Sequence, residues 1–357
     1  MCKKELKFTL VLFLFIIVLG DKMIYPNFLK VNDTIGVCAP SMGLVHPIKQ
    51  NKLECAIKHF NNFNLNVLET KNVRCGTLGR SCDAKTRAQE FMELINNNNV
   101  NAIIAATGGD FLLEILPYIN FNDIKKNPKW IQGYSDPTSL LYVITTKLDI
   151  ATIYSHNISG FGMSNWHKSI KDNFDILTGK NIIQTNFDKY EKNSLEELTG
   201  LEEYNLDTKV EWKSFDKEIN INGRLIGGCI DILTELLGTP YDYTNDFINR
   251  YKDDGIIWYF DNCELSCEDL TRTLWKFKEC GWFKYCNGIL FGRSLCENSY
   301  YDISFSDTLK YSLSELNVPI IFDMDFGHIP PRNTMINGAF THIKYKDGTG
   351  SIEYTYK

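Results

Sequence analysis

One pattern recurs through the first half of the chain and restricts the fold more than any other. A short apolar run ends at a glycine or a polar turn, and helical spacing follows. Residues 34–41 read TIGVCAPS, residues 102–110 read AIIAATGGD, and residues 129–140 read KWIQGYSDPTSL. The apolar runs do not alternate with polar residues, as expected of strands buried on both faces. Helical spacing fills residues 53–60, 85–95 and 111–118 between them. Strands alternating with helices predict a parallel sheet covered on both faces, and such sheets collect their sites at the carboxyl ends of the strands.

The third unit carries the most chemistry. Trp130 and Ile131 begin a strand, Gly133 breaks it, and Ser135-Asp136-Pro137 leads into the apolar run 140–144. Proline is tolerated in the first turn of a helix. Ser135 is therefore expected at the helix N-cap or one residue before it, beside free backbone N–H groups and the positive end of the helix dipole. Two readings fit that position. Serine is a common N-cap. Acyl-transfer enzymes also place a nucleophile there, where the same N–H groups can hold an oxyanion. The motif departs from G-x-S-x-G, because Pro137 stands in place of the second glycine.

A second set of strand-like runs begins near Ile219. Residues 223–238 (GRLIGGCIDILTELLG) read as a strand, a Gly-Gly turn and a helix. The strand at 256–260 (IIWYF) ends in Asp261, the strand at 288–291 (GILF) ends in Gly292-Arg293, and the strand at 318–322 precedes the loop DMDFGHIPP, which holds His328. Residues 181–218 are polar, with many acids between 191 and 203, and read as a linker. The expected organisation is an extension over 1–22, a nucleophile-bearing domain over 23–180, the linker, and a smaller α/β domain over 219–357.

Residues 8–20 (FTLVLFLFIIVLG) follow Lys3, Lys4 and Lys7. The run is short for a transmembrane helix and has the length of a signal-peptide core, but no A-x-A site follows. Either it is a signal or anchor, or translation starts at Met23. The eleven cysteines include no C-x-x-C. They read as reduced, mostly buried thiols, which favours a cytoplasmic location. A net charge of −6, with no dense Lys/Arg cluster, argues against a nucleic-acid face.

A serine hydrolase needs a nucleophile, a histidine base and a carboxylate that fixes the histidine tautomer. Ser135, Asp261 and His328 each follow an expected strand beside a glycine or polar turn. His156 and His167 are rival bases, while His46 and His59 read as surface or core residues. Gly108-Gly109 falls at another strand end and could share the crevice.

Six ordered blocks of this chain resemble the LD-carboxypeptidase family of serine peptidases, which includes microcin C self-immunity peptidases. The blocks are FLKVNDTIGVCAPS, AIIAATGGDFLLEILPYI, NPKWIQGYSDPTSLL, GRLIGGCIDILTELLGTPY, IIWYFDNCEL and DFGHIPPRNTMINGA. The resemblance implies a flavodoxin-like parallel-sheet domain plus a smaller α/β domain, with the active site between them. It implies Ser135 as nucleophile, His328 as base, and the backbone N–H groups of Asp136 and Gly109 as oxyanion hole. The family's third residue is a glutamate, and here that position is Asp261, one methylene shorter. Glu264 is a second carboxylate nearby. The implied reaction releases terminal D-alanine from murein tetrapeptides, with no metal and no cofactor. The expected partner is a small peptide, and a homodimer is compatible with the sequence. Arg293 could hold a substrate carboxylate or form an internal ion pair. Hydrolysis of a peptidyl or aminoacyl nucleotide, with Trp166 stacking a base, and a non-catalytic role are the alternatives.

Overall fold

The computed structural model describes residues 23–357. The apolar run at 8–20 lies outside them. In chain order the first half contains β1 (Thr34–Cys38), α1 (Pro47–Asn62), β2 (Asn66–Glu69), α2 (Ala84–Asn96), β3 (Val100–Ala105), α3 (Phe121–Lys126), β4 (Trp130–Gly133), α4 (Thr138–Leu148), β5 (Thr152–Tyr154) and α5 (Lys168–Leu177). Four two-residue strands follow: β6 (Gln184–Thr185), β7 (Lys189–Tyr190), β8 (Thr208–Lys209) and β9 (Lys213–Ser214). The second half contains β10 (Glu218–Cys229), α6 (Ile230–Leu236), α7 (Thr244–Arg250), β11 (Ile256–Asp261), α8 (Cys267–Glu279), β12 (Cys286–Gly292), α9 (Phe305–Leu313), β13 (Ile320–Met324), β14 (Met335–Asn337), β15 (Phe340–Lys346) and β16 (Thr349–Thr355).

These strands form two principal sheets. The first has the order β14-β5-β4-β3-β1-β2 and is parallel except for β14. The second has the order β6-β16-β15-β10-β11-β12-β13-β9. Its centre, β10 to β13, is parallel, and the antiparallel hairpin β15-β16 extends one side. The expected mixed α/β architecture around parallel sheets is present. Strand β14 comes from late in the chain yet completes the edge of the first sheet, so the two halves share strands.

The segment expected to be a polar linker does more than connect. Strands β6 and β9 take the two edges of the second sheet, and β7 pairs with β8. The Gly-Gly step expected as a turn is also different. Strand β10 runs through Gly227 and Gly228 to Cys229. Glycine is needed there because a Cβ at 227 would overlap the Tyr259 carbonyl on β11.

Helix α4 explains why the halves stay together. All but one of its residues are buried, as expected of a helix covered on every side rather than along one stripe. Tyr142, Val143 and Ile144 are each fully shielded, and such burial contributes about 1.5–3 kcal/mol per large apolar side chain. At its start, Thr138 Oγ1 accepts the Cys229 N–H at 3.0 Å. Further along, Tyr142 hydrogen bonds with Thr244 at 2.7 Å. The helix that follows Ser135 thus packs on the end of β10 and fixes the carboxyl ends of both sheets relative to each other.

Candidate active site

Ser135 sits in the tight turn between β4 and α4 with φ +69°. The expected N-cap position is not where it lies. Pro137 is the N-cap, with no side-chain capping bond, and Ser135 precedes it by two residues. Its carbonyl accepts the Thr138 N–H at 2.9 Å. A left-handed backbone at a non-glycine residue is uncommon and needs support from its surroundings. Some of that support is direct, since the Ser135 N–H donates to the Tyr154 hydroxyl at 3.3 Å. Gly108 lies against the serine side chain, where a Cβ would stand 3.0 Å from Ser135 Cβ and 3.1 Å from Oγ. Gly109 has φ +144°, and a Cβ on it would overlap Ser41 Oγ.

The Asp136 side chain ties these loops together. It is fully buried, and it accepts the Ser41 hydroxyl and the Leu112 N–H, the latter at 2.9 Å. Burial pushes its carboxyl up from the ordinary value, partly offset by those two donors. Three loops at the carboxyl ends of β1, β3 and β4 are therefore joined through one side chain directly after Ser135.

Asp261 ends β11 and is fully buried. Its Oδ2 accepts from His328 Nδ1 at 2.8 Å and from the Tyr154 hydroxyl at 2.5 Å. Its Oδ1 accepts the His328 backbone N–H at 3.3 Å. The aspartate reaches the imidazole despite its shorter side chain because the histidine loop comes to it. Gly327 has φ +98°, and a Cβ there would lie 2.5 Å from Asp261 Cγ and closer still to Oδ1. Burial alone would lower the His328 pKa, but the Asp261 charge and hydrogen bond, with the Cys263 thiol nearby, raise it well above the ordinary value. Burial alone would raise Asp261, and His328 and Tyr154 instead hold it below the usual carboxylate value. Tyr134, next to Ser135, meets the His328 ring edge-on at 5.2 Å. Tyr154 and Tyr134 thus connect the nucleophile candidate to the histidine–carboxylate pair.

The other histidines are engaged elsewhere. His46 and His167 cap α1 and α5 by accepting backbone N–H groups. His59 bonds to the Met163 carbonyl at 3.0 Å and His342 to Asn220. His156 is fully buried, and burial followed by the Arg332 charge holds its pKa well below the ordinary value. Glu264 is exposed and only its backbone N–H is used here, donating to Asp231 at 2.8 Å. Trp166 is a core residue, bonded through Nε1 to the Phe161 carbonyl at 2.9 Å.

Arg293 does not present a free guanidinium to the crevice. It is 5% exposed and pairs with Asp325 at 2.6 Å. Its Nη2 donates to the carbonyls of Ile329 and Pro331, at 3.3 and 2.9 Å. Both carbonyls belong to the His328 loop, so the guanidinium braces that loop from below. Two residues were missed by sequence reasoning. Arg332 is buried, donates to the carbonyls of Gly327 and His328, and stacks over Tyr134 with its guanidinium carbon 4.5 Å from the ring centre. Tyr154 links Ser135 to Asp261. Neither has a local signal, because their partners lie far away in sequence.

Among the described residues, no group of three or more His, Cys, Asp or Glu is arranged to hold a metal ion, and no helix is long and apolar enough to cross a membrane.

Two family models match this chain in order. Residues 35–155 match the LD-carboxypeptidase N-terminal domain, and residues 222–343 match the LD-carboxypeptidase C-terminal domain. The chain is 27% identical over 342 residues to the microcin C7 self-immunity protein of Escherichia coli, covering 92% of this chain and 95% of that protein. It is 25% identical over 334 residues to a probable murein peptide carboxypeptidase of Bacillus subtilis, covering 92% and 94%. Among solved structures, the microcin C7 self-immunity protein in complex with aspartyl sulfamoyl adenosine superposes with a TM-score of 0.79 at 26% identity, covering 93% of this chain and 99% of that one.

Proposed function

The chain belongs to the LD-carboxypeptidase family of peptidases, and on that premise we propose that it hydrolyses an L,D peptide bond, releasing the C-terminal D-amino acid of murein tetrapeptides. Ser135 is the nucleophile, His328 the general base and then acid, and Asp261 the carboxylate that orients the histidine. The observation that carries this reading is the His328 Nδ1–Asp261 Oδ2 contact of 2.8 Å beside a serine held at φ +69°. With Nδ1–H donated to Asp261, Nε2 is the nitrogen left to take the serine proton.

In the first half-reaction Ser135 Oγ attacks the scissile carbonyl carbon while its proton passes to His328. The carbonyl oxygen becomes an oxyanion, held by the backbone N–H groups of Asp136 and Gly109. The buried Asp261 carboxylate stabilises the imidazolium that forms. The C–N bond then breaks, His328 gives its proton to the departing amine, and D-alanine leaves with the shortened peptide as an ester on Ser135. In the second half-reaction water loses a proton to His328 and attacks the ester, and the proton returns to Ser135 as the C–O bond breaks.

A second reading, hydrolysis of a peptidyl or aminoacyl nucleotide, is supported by the likeness to the self-immunity protein. The burial of Trp166 weakens it, because that ring is not available to stack a base. A substrate panel separates the two. Purified protein is incubated with a murein tetrapeptide ending in D-alanine and, separately, with aspartyl sulfamoyl adenosine. Free D-alanine with the nucleoside compound intact is the expected result. The reverse pattern would overturn the L,D-carboxypeptidase reading.

A further inference from the structure

Tyr154 occupies a position that the catalytic scheme above does not use. It lies on β5 in the first sheet, while Asp261 lies on β11 in the second. Its hydroxyl accepts the Ser135 N–H at 3.3 Å and donates to Asp261 Oδ2 at 2.5 Å. The same carboxylate oxygen accepts His328 Nδ1–H at 2.8 Å. One hydroxyl therefore closes a continuous chain from the nucleophile's backbone to the histidine.

Resting on the peptidase reading given above, we propose that Tyr154 is a positioning residue that sets the geometry and basicity of the Ser135–His328–Asp261 unit from the opposite sheet.

Three physical arguments carry this. First, Ser135 is held in the left-handed region without a glycine, and its own N–H is one of the few groups through which the turn can be tethered. A bond from that N–H leaves the N–H groups of Asp136 and Gly109 for the oxyanion. Second, an aspartate is a short lever. Both of its bonds to His328, from Nδ1 on Oδ2 and from the backbone N–H on Oδ1, come from one loop. The Tyr154 donor holds the same carboxylate from the other sheet. Third, burial and the neighbouring Asp261 charge keep the phenol protonated far above its ordinary pKa, so it donates at every working pH. A donor on Oδ2 draws negative charge away from the imidazole. It moderates how strongly Asp261 holds the protonated histidine, which must lose its proton to act as a base. The other ionisable groups facing this network are Tyr134, Tyr259, Arg332, Cys229 and Cys263. Removing the Tyr154 hydroxyl leaves all of them in place.

The test is Tyr154→Phe, with Tyr142→Phe as the control, since Tyr142 loses a buried hydroxyl bond of the same kind away from the crevice. Two readouts are taken: the pH dependence of kcat/KM for D-alanine release, and the His328 imidazole pKa by NMR of ¹⁵N-labelled histidine. Tyr154→Phe should raise the His328 pKa and move the acid limb upward by about one pH unit. It should lower kcat by on the order of tenfold with KM little changed, because Tyr154 does not touch substrate. Tyr142→Phe should leave both readouts at the parent values. Replacing Tyr154 by 3-fluorotyrosine keeps the ring and strengthens the donor, so it should move the limb and the imidazole pKa downward, and it serves if the phenylalanine variant does not fold. An imidazole pKa and acid limb that stay at the parent values in the Tyr154 variants would overturn the proposal. The NMR titration needs no turnover. A shift without any D-alanine release would therefore sink the peptidase reading alone, and release without a shift would sink this inference alone.

Discussion

Gly327→Ala tests whether the histidine loop is truly seated on Asp261. Gly327 has φ +98°, and its added Cβ would lie 2.5 Å from Asp261 Cγ. Carbon atoms in ordinary contact stand about 3.5–4.0 Å apart, so the loop or the carboxylate must yield by about 1 Å. The contact at stake is the 2.8 Å bond between His328 Nδ1 and Asp261 Oδ2, and a shift of that size breaks it. A misplacement near 1 Å costs on the order of 100-fold in rate. The backbone adds about 1–2 kcal/mol of strain for an L-residue at positive φ, offset in part by about 0.4–1 kcal/mol from stiffening the unfolded chain. The protein should therefore remain folded while turnover collapses. Gly281→Ala is the matched control. Its φ is +78°, but its Cβ would meet only Asn245 Oδ1 at 3.6 Å, so it carries similar strain without the clash. The assay is D-alanine release alongside thermal denaturation. We expect both variants to fold, Gly327→Ala to lose more stability than Gly281→Ala because it also loosens a buried pair, and only Gly327→Ala to lose rate. If Gly327→Ala retains kcat/KM within about threefold of the parent, the tight seat of the loop on Asp261 is not what aligns His328.

Four further outcomes follow from the same geometry. His328 must be neutral to accept the serine proton, and its pKa is raised, so kcat/KM should climb through an acid limb that lies above the ordinary imidazole value of about 6.5. The same raised pKa stabilises the fold, an effect fully present below about pH 6.5 and lost as pH rises through the folded-state value; thermal denaturation against pH reads it. Asp261→Asn should leave the far-UV circular dichroism unchanged and lower kcat on the order of 10⁴-fold, because an amide can fix the wrong tautomer and cannot stabilise the imidazolium. Arg293→Met leaves Asp325 buried without its partner, and chemical denaturation should show a loss of about 3–5 kcal/mol.

Much of the candidate site was legible because its residues sit where strands end. Ser135, Asp261 and His328 each follow an unbroken apolar run, and glycine or polar turns mark the break. What remained hidden depends on partners distant in the chain. Tyr154 lies in ATIYS, a stretch with no turn or glycine to mark it, and only the fold brings Asp261, 107 positions later, to its hydroxyl. Arg332 reads as a loop charge, yet it is buried against Tyr134. Arg293 suited either a substrate carboxylate or an internal pair, and the deciding partner, Asp325, stands 32 positions on. Ser135 was expected at or next to the N-cap because Pro137 was read as a residue of the first helical turn, and the displacement came from Pro137 taking the cap position itself. Gly227-Gly228 reads as a turn because glycine pairs usually mark one, but here glycine serves close strand packing. The hairpin β15-β16 had a usable signal in Asp347-Gly348, a dipeptide that favours tight hairpin turns. The two-residue strands at 184–214 are too short for any periodicity to reveal.

The most direct measurement is to identify the residue that becomes covalently modified. The protein is treated with a fluorophosphonate, digested, and the adduct located by peptide mass spectrometry, with murein tetrapeptide turnover followed in the same sample. The account predicts one adduct, on Ser135, appearing in step with loss of D-alanine release, and neither adduct nor turnover in Ser135→Ala. An adduct on another serine that tracks the loss of activity, or undiminished D-alanine release by Ser135→Ala, would contradict it.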